Sequence, residues 1–310
     1  MSTIASTVSS KSLPVTRIRR RGLEVRERRA GVALVAPALL AIIVISVVPL
    51  ILAFGFSLTD YSLIGATEWV GLSNYASILV DPVYWEAMRN TLTFAASQVG
   101  IGIVVVVLVA ALFNGHIFGG SVMRTIIYLP QAASYVVVAL IWNLFLDPFV
   151  GPINAMLGWL RAGPVYFLSD PQWVIASIVV VSMWRNLGYF MIIVLAGLKS
   201  VPRELLEAAE IDGANAPQRF WLISLPSIKG VLSFVAITWF LGALQTFTQS
   251  YVMTGGGPMH ASRTIVYLMY DEAFTNLNIG KASAMSVMLF ALVVLLSVVL
   301  RIVFRRKEAV

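Results

Sequence analysis

Six apolar runs, each long enough to cross a lipid bilayer, dominate this chain. They lie at about 33–56, 90–113, 124–146, 173–197, 228–252 and 283–304. A helix needs about 20 such residues to span a ~30 Å hydrocarbon core, and lipid leaves no other way to satisfy the backbone of an unpaired segment. The expected fold is therefore all-α and integral to a membrane, with six transmembrane helices and both ends on one side. Composition agrees: 59% of the 310 residues are hydrophobic and 12% are charged, against about 25% charged in a soluble domain. The first run, some 24 residues, is longer than the apolar region of a signal peptide, so it reads as an uncleaved span.

The charges sit at the span boundaries. Residues 1–31 form a basic tail in which Lys11, Arg17, Arg19, Arg20, Arg21, Arg26, Arg28 and Arg29 outweigh Glu24 and Glu27. The carboxyl end carries Arg301, Arg305, Arg306 and Lys307, the 198–227 loop Lys199, Arg203 and Arg219, and Arg124 flanks the 114–123 loop. The three remaining loops are poorer in cations. Basic residues stay on the cytoplasmic side, so both termini and the 198–227 loop are expected there. The net charge of +7 then orients the chain and attracts anionic membrane lipid to the tail; it does not point to nucleic acid. Trp69, Tyr84, Trp85, Trp159, Tyr166 and Trp173 fall in loops or at span edges, where amphipathic rings favour the interface.

The longest polar interval between apolar runs is 207–226, EAAEIDGANAPQRFWLISLP. With Glu204 just before it, it gathers Glu207, Glu210 and Asp212 in a chain that has few acids. Glu207, Ala208 and Ala209 favour a helix, Gly213 ends one, and Pro226 is a stop signal. The pattern predicts a short helix, a bend at Gly213, a second helical piece and entry to the next span at Pro226. An acidic loop helix is often only a solvated face. The alternative is a docking helix, in which the alanines allow close approach and Glu207 offers a charge. No P-loop, HExxH or GxSxG occurs, and the chain has no cysteine, so neither an ATP site nor hydrolytic or thiolate chemistry is legible.

The spacing Glu207-Ala208-Ala209, three residues, Gly213, nine residues, Ile223, Leu225, Pro226 resembles the EAA loop of ABC importer permeases. RTIIYLP from Arg124, LAGLKSVP from Leu195, MTGGGP from Met253 and NIGKASA from Asn278 are similar to the carbohydrate-uptake branch, which includes permeases for maltose and glycerol-3-phosphate. The resemblance covers nearly the whole chain and implies a type I importer permease fold in a bacterial cytoplasmic membrane. It implies a coupling loop at 203–226 in which Glu207, Ala208, Ala209, Asp212 and Gly213 meet a separate ATPase subunit. ATP and magnesium would be held there, with no cofactor on this chain. It also implies a second homologous permease subunit, two ATPase subunits and an extracytoplasmic substrate-binding protein.

Two polar groups interrupt the spans. Arg185 lies mid-span in SMWRNLGY, where an arginine costs roughly 2.5–3.5 kcal/mol on insertion scales. It is either a structural group bonded to carbonyls or part of a solute path. Asn186 and Tyr189 would assist as hydrogen-bonding and aromatic partners, and Gly188 would leave room for a ligand. In the fifth span Gln245 and Gln249, at i and i+4, would share one helix face, with Thr246 and Thr248 beside them and Thr238 and Trp239 about two turns earlier. In the resembling maltose permeases the equivalent region contributes to the sugar site, which places Gln245 and Thr246 near it; interhelical bonding is the plainer alternative. Gly255-Gly256-Gly257-Pro258 reads as a turn ending that span. His116 and His260 read as solvated, and no metal-ligating cluster is visible. The reading is a permease subunit for a sugar or glycerol-3-phosphate-type solute. A self-sufficient secondary transporter is the alternative, which broken helices and inverted repeats would mark.

Overall fold

A computed structural model describes residues 31–308 except 63, 64, 66 and 116, with the backbone alone at 303–308. The basic tail up to residue 30 and His116 lie outside the described residues. Thirteen helices follow in chain order among them: α1 Gly31–Ser57, α2 Ser73–Val80, α3 Pro82–Leu112, α4 Gly120–Ala132, α5 Tyr135–Phe145, α6 Pro152–Trp159 and α7 Val174–Lys199. Then come α8 Arg203–Ile211, α9 Ala216–Ser227, α10 Lys229–Leu244, α11 Thr248–Thr254, α12 Ile265–Tyr270 and α13 Ile279–Glu308. Contacts divide the chain into Met1–Leu52 and Ala53–Val310. In the first unit the described part, 31–52, is helical with exposed apolar side chains such as Leu34 and Ile45.

Four described helices are each long and apolar enough to cross a membrane: α1, α3, α7 and α13 through Ile302. Two bent pairs bring the number to six if each crosses as one span, α4 with α5 at 101° and α9 with α10 at 66°. The expected third span is therefore two helices meeting at Ala133 and Ser134, where the Ser134 side chain accepts from Val137 N–H and starts α5 afresh. The expected fifth span also breaks: α10 stops at Leu244, residues 245–247 are non-helical, and α11 resumes at Thr248. Gln245 and Gln249 consequently do not lie on one continuous helix face. The apolar composition runs through both breaks, so span length alone hides them.

Helix starts follow local chemistry. Asp81 caps α3 by accepting from Val83 N–H at 2.9 Å, with Pro82 in the first turn, an arrangement that suits proline's missing donor. The helix thus begins at 82 rather than near 90, and Tyr84 becomes a buried core residue at 2% exposure rather than an interface ring. The other five rings read as interfacial are exposed. Between α5 and α6 the Asp147 carboxylate accepts from Val150 and Phe149 N–H at 2.9 and 2.8 Å, which holds its pKa below the ordinary value.

Two of the three π turns among the described residues, Ile43–Val47 and Phe220–Ser224, each end two residues before a proline, Pro49 and Pro226. In both, the residue before proline donates five residues back, Val48 to Ile43 and Leu225 to Phe220. Widening the turn relieves the clash a proline ring makes with the carbonyl four residues earlier. Pro226 therefore does not end its helix, contrary to its reading as a stop. The helix continues to Ser227 and the chain bends at Ile228.

The second unit packs around three clusters. Phe94, Val138, Ile178, Leu244 and Met253 join α3, α5, α7, α10 and α11. Val106, Met191, Val194, Val235 and Trp239 join α3, α7 and α10. Ile78, Met88, Ile265, Leu268 and Met285 join α2, α3, α12 and α13. Gly102 lets α3 lie close against α10, because a Cβ there would collide with the Trp239 ring.

Candidate functional site

A cavity of about 330 Å³ lies where α3, α7, α10 and α11 meet the bend between α4 and α5. Among its lining residues are Arg185, Asn186, Tyr189, Gln245, Thr246 and Gln249, so six of the seven residues expected on the path are brought together. Gly188 is the exception. A Cβ there would collide with the Ile127 carbonyl oxygen and the Tyr128 Cα, so this glycine lets α4 lie against α7 and makes no room for a ligand.

The Arg185 guanidinium is fully engaged. Its Nε and Nη2 donate to the Ala133 carbonyl at 3.2 and 3.0 Å, and Nη2 also donates to the Gln131 carbonyl at 3.2 Å. Nη1 donates to Gln131 Oε1 at 3.0 Å and to Asn186 Oδ1 at 3.4 Å, and the group lies 3.8 Å over the Tyr135 ring. All five N–H groups thus have acceptors. The carbonyls at the end of α4 have lost their helical donors to the bend, and Arg185 replaces them. Its carbon stem crosses from the middle of α7 to do so.

Asn186 accepts from the Tyr135 hydroxyl at 3.1 Å. Trp239 donates its indole N–H to Gln98 Oε1 at 2.7 Å and stacks on Phe190 at 4.3 Å between centroids. Gln249 is buried and donates to the Ser182 hydroxyl at 3.4 Å. The Thr246 carbonyl accepts from the Thr264 hydroxyl at 2.7 Å, which fixes the break after α10. Other groups remain available. The Tyr189 and Thr248 hydroxyls make no hydrogen bond among the described residues, and exposed Gln245 makes one long bond, to the Leu241 carbonyl at 3.4 Å. The cavity therefore pairs a rigid scaffold (Arg185, Asn186, Gln98, Trp239) with a few free polar groups, a division suited to binding a polyhydroxylated solute. Gln98, Gln131 and Tyr135 were not singled out from sequence; the signal was a lone glutamine inside one apolar run and a Pro-Gln pair inside another.

The polar loop folds as a helix pair. In α8, Glu207 and Ala208 are exposed and Ala209 is half-buried, while Leu206 packs against the cluster around Val194. Gly213 follows at φ +84°, and Ala214 N–H returns to the Ala209 carbonyl at 2.9 Å, a left-handed helix ending that glycine adopts without strain. Asn215 and Gln218 cap α9 reciprocally, and an ion pair between Arg219 and Glu210 joins the two helices. Asp212 and Gly213 are exposed, and Glu207 makes no ion pair or side-chain hydrogen bond among the described residues. The turn Gly255-Gly256 does end α11, at φ +59° and +78°, and the Tyr267 hydroxyl donates to the Gly255 carbonyl at 3.0 Å.

Long apolar helices around a polar cleft, with an exposed helix pair between two of them, define a membrane transport component. The sequence profile of the family described as "Binding-protein-dependent transport system inner membrane component" matches residues 102–309, and the chain belongs to that family. It is 33% identical over 279 residues to the trehalose/maltose transport system permease protein MalF of Thermococcus litoralis, covering 89% of this chain and 94% of the relative. It is 34% identical over 235 residues to the sn-glycerol-3-phosphate transport system permease protein UgpA of Yersinia pestis, covering 76% and 79%. Its fold is that of a chain in the crystal structure of a bacterial ABC transporter involved in the import of the acidic polysaccharide alginate, with a TM-score of 0.81 at 23% identity, covering 93% of this chain and 99% of the other.

Proposed function

We propose that this chain is one of two homologous permease subunits of an ABC importer, and that it carries a sugar or glycerol-phosphate-type solute across a bacterial cytoplasmic membrane. The observation that carries the reading is the exposed α8–α9 pair, with Glu207, Ala208, Asp212 and Gly213 open to a partner, in a chain of the binding-protein-dependent family. Two helix interruptions, the α4–α5 bend and residues 245–247, converge on one polar cavity, a feature that a secondary transporter would share. Unwound backbone at membrane depth is tolerated where protein or a water-filled path covers it. The names of the relatives support a carbohydrate or polyol-phosphate solute.

In this account both termini and the α8–α9 pair face the cytoplasm, as the basic residues of the flanking segments favour. An ATPase subunit holds α8 through Glu207, Ala208, Ala209, Asp212 and Gly213, and a second one holds the partner permease. ATP closes the ATPase pair and turns the cavity outward to meet a substrate-binding protein; hydrolysis lets it turn inward. Leu206, packed under α7 and α10, carries the motion from α8 to the cavity walls. Solute meets Tyr189, Gln245 and Thr248, while Arg185 keeps the α4–α5 bend in place.

The test is uptake by the reconstituted complex. Solute should enter vesicles only with ATP on the α8 side and the binding protein on the other. Gradient-driven uptake by this chain without an ATPase subunit would replace the reading with that of a secondary transporter.

A further inference from the structure

A second cavity lies further along α7. On α7, Arg185, Tyr189, Ile192, Ala196 and Lys199 recur at spacings of four, three, four and three, so they share one face. On α4, Arg124, Tyr128 and Gln131 do the same. A cavity of about 410 Å³ lies between these two faces, lined by Arg124, Thr125, Tyr128, Ile192, Ala196 and Lys199 among others. From Tyr189, in the first cavity, to Lys199 is ten residues, or ~15 Å of helix. The two cavities thus follow one another along α4 and α7 but share no lining residue, and the contact of Gly188 with the backbone of Ile127 and Tyr128 separates them. The second ends four residues before α8, the helix that the proposed function assigns to the ATPase.

The charge along the two cavities has one sign. Neither cavity is lined by an aspartate or a glutamate, whereas Arg185 lines the first and Arg124 and Lys199 the second. Arg124 donates Nε to the Gly120 carbonyl at 3.0 Å. Its terminal nitrogens and the Lys199 ammonium make no ion pair or hydrogen bond among the described residues. Two unpaired cations on one cavity repel each other and raise a positive potential that low-dielectric walls focus. A neutral polyol gains little from such a field; an anion gains at both groups.

We propose that Arg124 and Lys199 form a subsite for an anionic group, phosphate, carboxylate or sulfonate, carried by the solute, and that the solute reaches it on its inward leg when α4 parts from α7 at Gly188. This rests on the permease reading and narrows its solute to anionic sugar or polyol derivatives. A phospholipid phosphate has the same chemistry, but the alignment of the second cavity with the first along α7 favours a travelling solute. Tyr128, Thr125 and Ser121 supply hydroxyls beside the cations, and the Ile192 and Ala196 wall gives a solute no polar group to hold it, so it dwells briefly.

The experiment uses the assembled complex in phosphatidylcholine nanodiscs, with methyl β-glucuronide and methyl β-glucoside as probes that differ only in a carboxylate. Saturation-transfer NMR should find the glucuronide bound at least five-fold more tightly than the glucoside by the parent. The Arg124→Gln/Lys199→Gln double variant should lose that preference with glucoside binding unchanged, and Arg124→Lys/Lys199→Arg should keep it. Equal binding of the two probes by the parent, or a preference that survives in the double Gln variant, overturns the proposal. So does native mass spectrometry finding phosphatidylglycerol retained by the parent and lost by the double Gln variant while glucuronide binding stays the same. Binding-protein-stimulated ATP hydrolysis is read on the same samples. Its absence in the parent sinks the permease reading itself, and its presence without charge preference sinks this inference alone.

Discussion

Arg185 stands at the centre of a span, yet its hydrogen bonds define it as a brace. Replacing it with alanine strands the Gln131 and Ala133 carbonyls, and losing charge-assisted bonds of this kind costs about 1.5–3 kcal/mol. Arg185→Ala should lower the melting temperature in detergent, and Arg185→Lys should recover less than half of the loss, since an ammonium cannot reproduce the planar fork. Unchanged melting with lost uptake would instead make the guanidinium a ligand for solute. The two glycines nearby separate packing from path. Gly188→Ala forces α4 off α7 at a cost of about 1–3 kcal/mol, whereas a Cβ on Gly242 meets nothing within 4 Å. Gly242→Val should leave melting nearly unchanged and slow uptake by narrowing the cavity, checked by thermal unfolding and transport on the same preparations. In SMWRNLGY the arginine and the glycine are three residues apart and look alike as path residues. What sets them apart is a carbonyl 52 residues away and a backbone 60 residues away, neither of which a linear pattern displays.

At the scale of elements, lengths were legible and interruptions were not. Runs of apolar residues set out α1, α3, α7 and α13 within a few residues, apart from the early start of α3, because lipid-facing helices need only length and hydropathy. The breaks at 133–134 and 245–247 are held by Arg185 and Thr264, side chains that contribute nothing to local hydropathy. Short helices α2, α6 and α12 escaped notice because they belong to loops read only for charge. The α8–α9 pair was the most readable element, since its caps and its glycine are local devices: Asn215 with Gln218, and Gly213 in a left-handed turn. Gly213→Ala should therefore cost about 1 kcal/mol of local stability, seen as faster amide exchange in α8 with overall melting unchanged. Equal exchange in variant and parent would mean that the turn is held by something other than backbone preference.

Across the whole molecule, one ion cluster ties segments distant in sequence. Lys281, in the first turn of α13, bonds Asp81 at 3.2 Å before α3 and Glu272 at 3.0 Å after α12. Its three side chains are 12–23% exposed. Removing the cation leaves two carboxylates facing each other in a partly dry setting, so Lys281→Met should destabilise the protein by about 1–3 kcal/mol. Because such pairs are screened little by salt, the loss should persist at 1 M NaCl; a loss that vanishes in salt would place the cluster in open water. The proposed function has the chain move solute with work drawn from elsewhere, through α8, whose Glu207 makes no ion pair or side-chain hydrogen bond among the described residues. That claim is tested most directly by affinity-purifying the parent and the Glu207→Lys variant from their native membrane and measuring the ATPase subunit retained by each. The account predicts that the parent retains it and the variant loses at least ten-fold, with insertion and melting the same in both. Equal retention by the variant, or a folded parent that retains none, would contradict it.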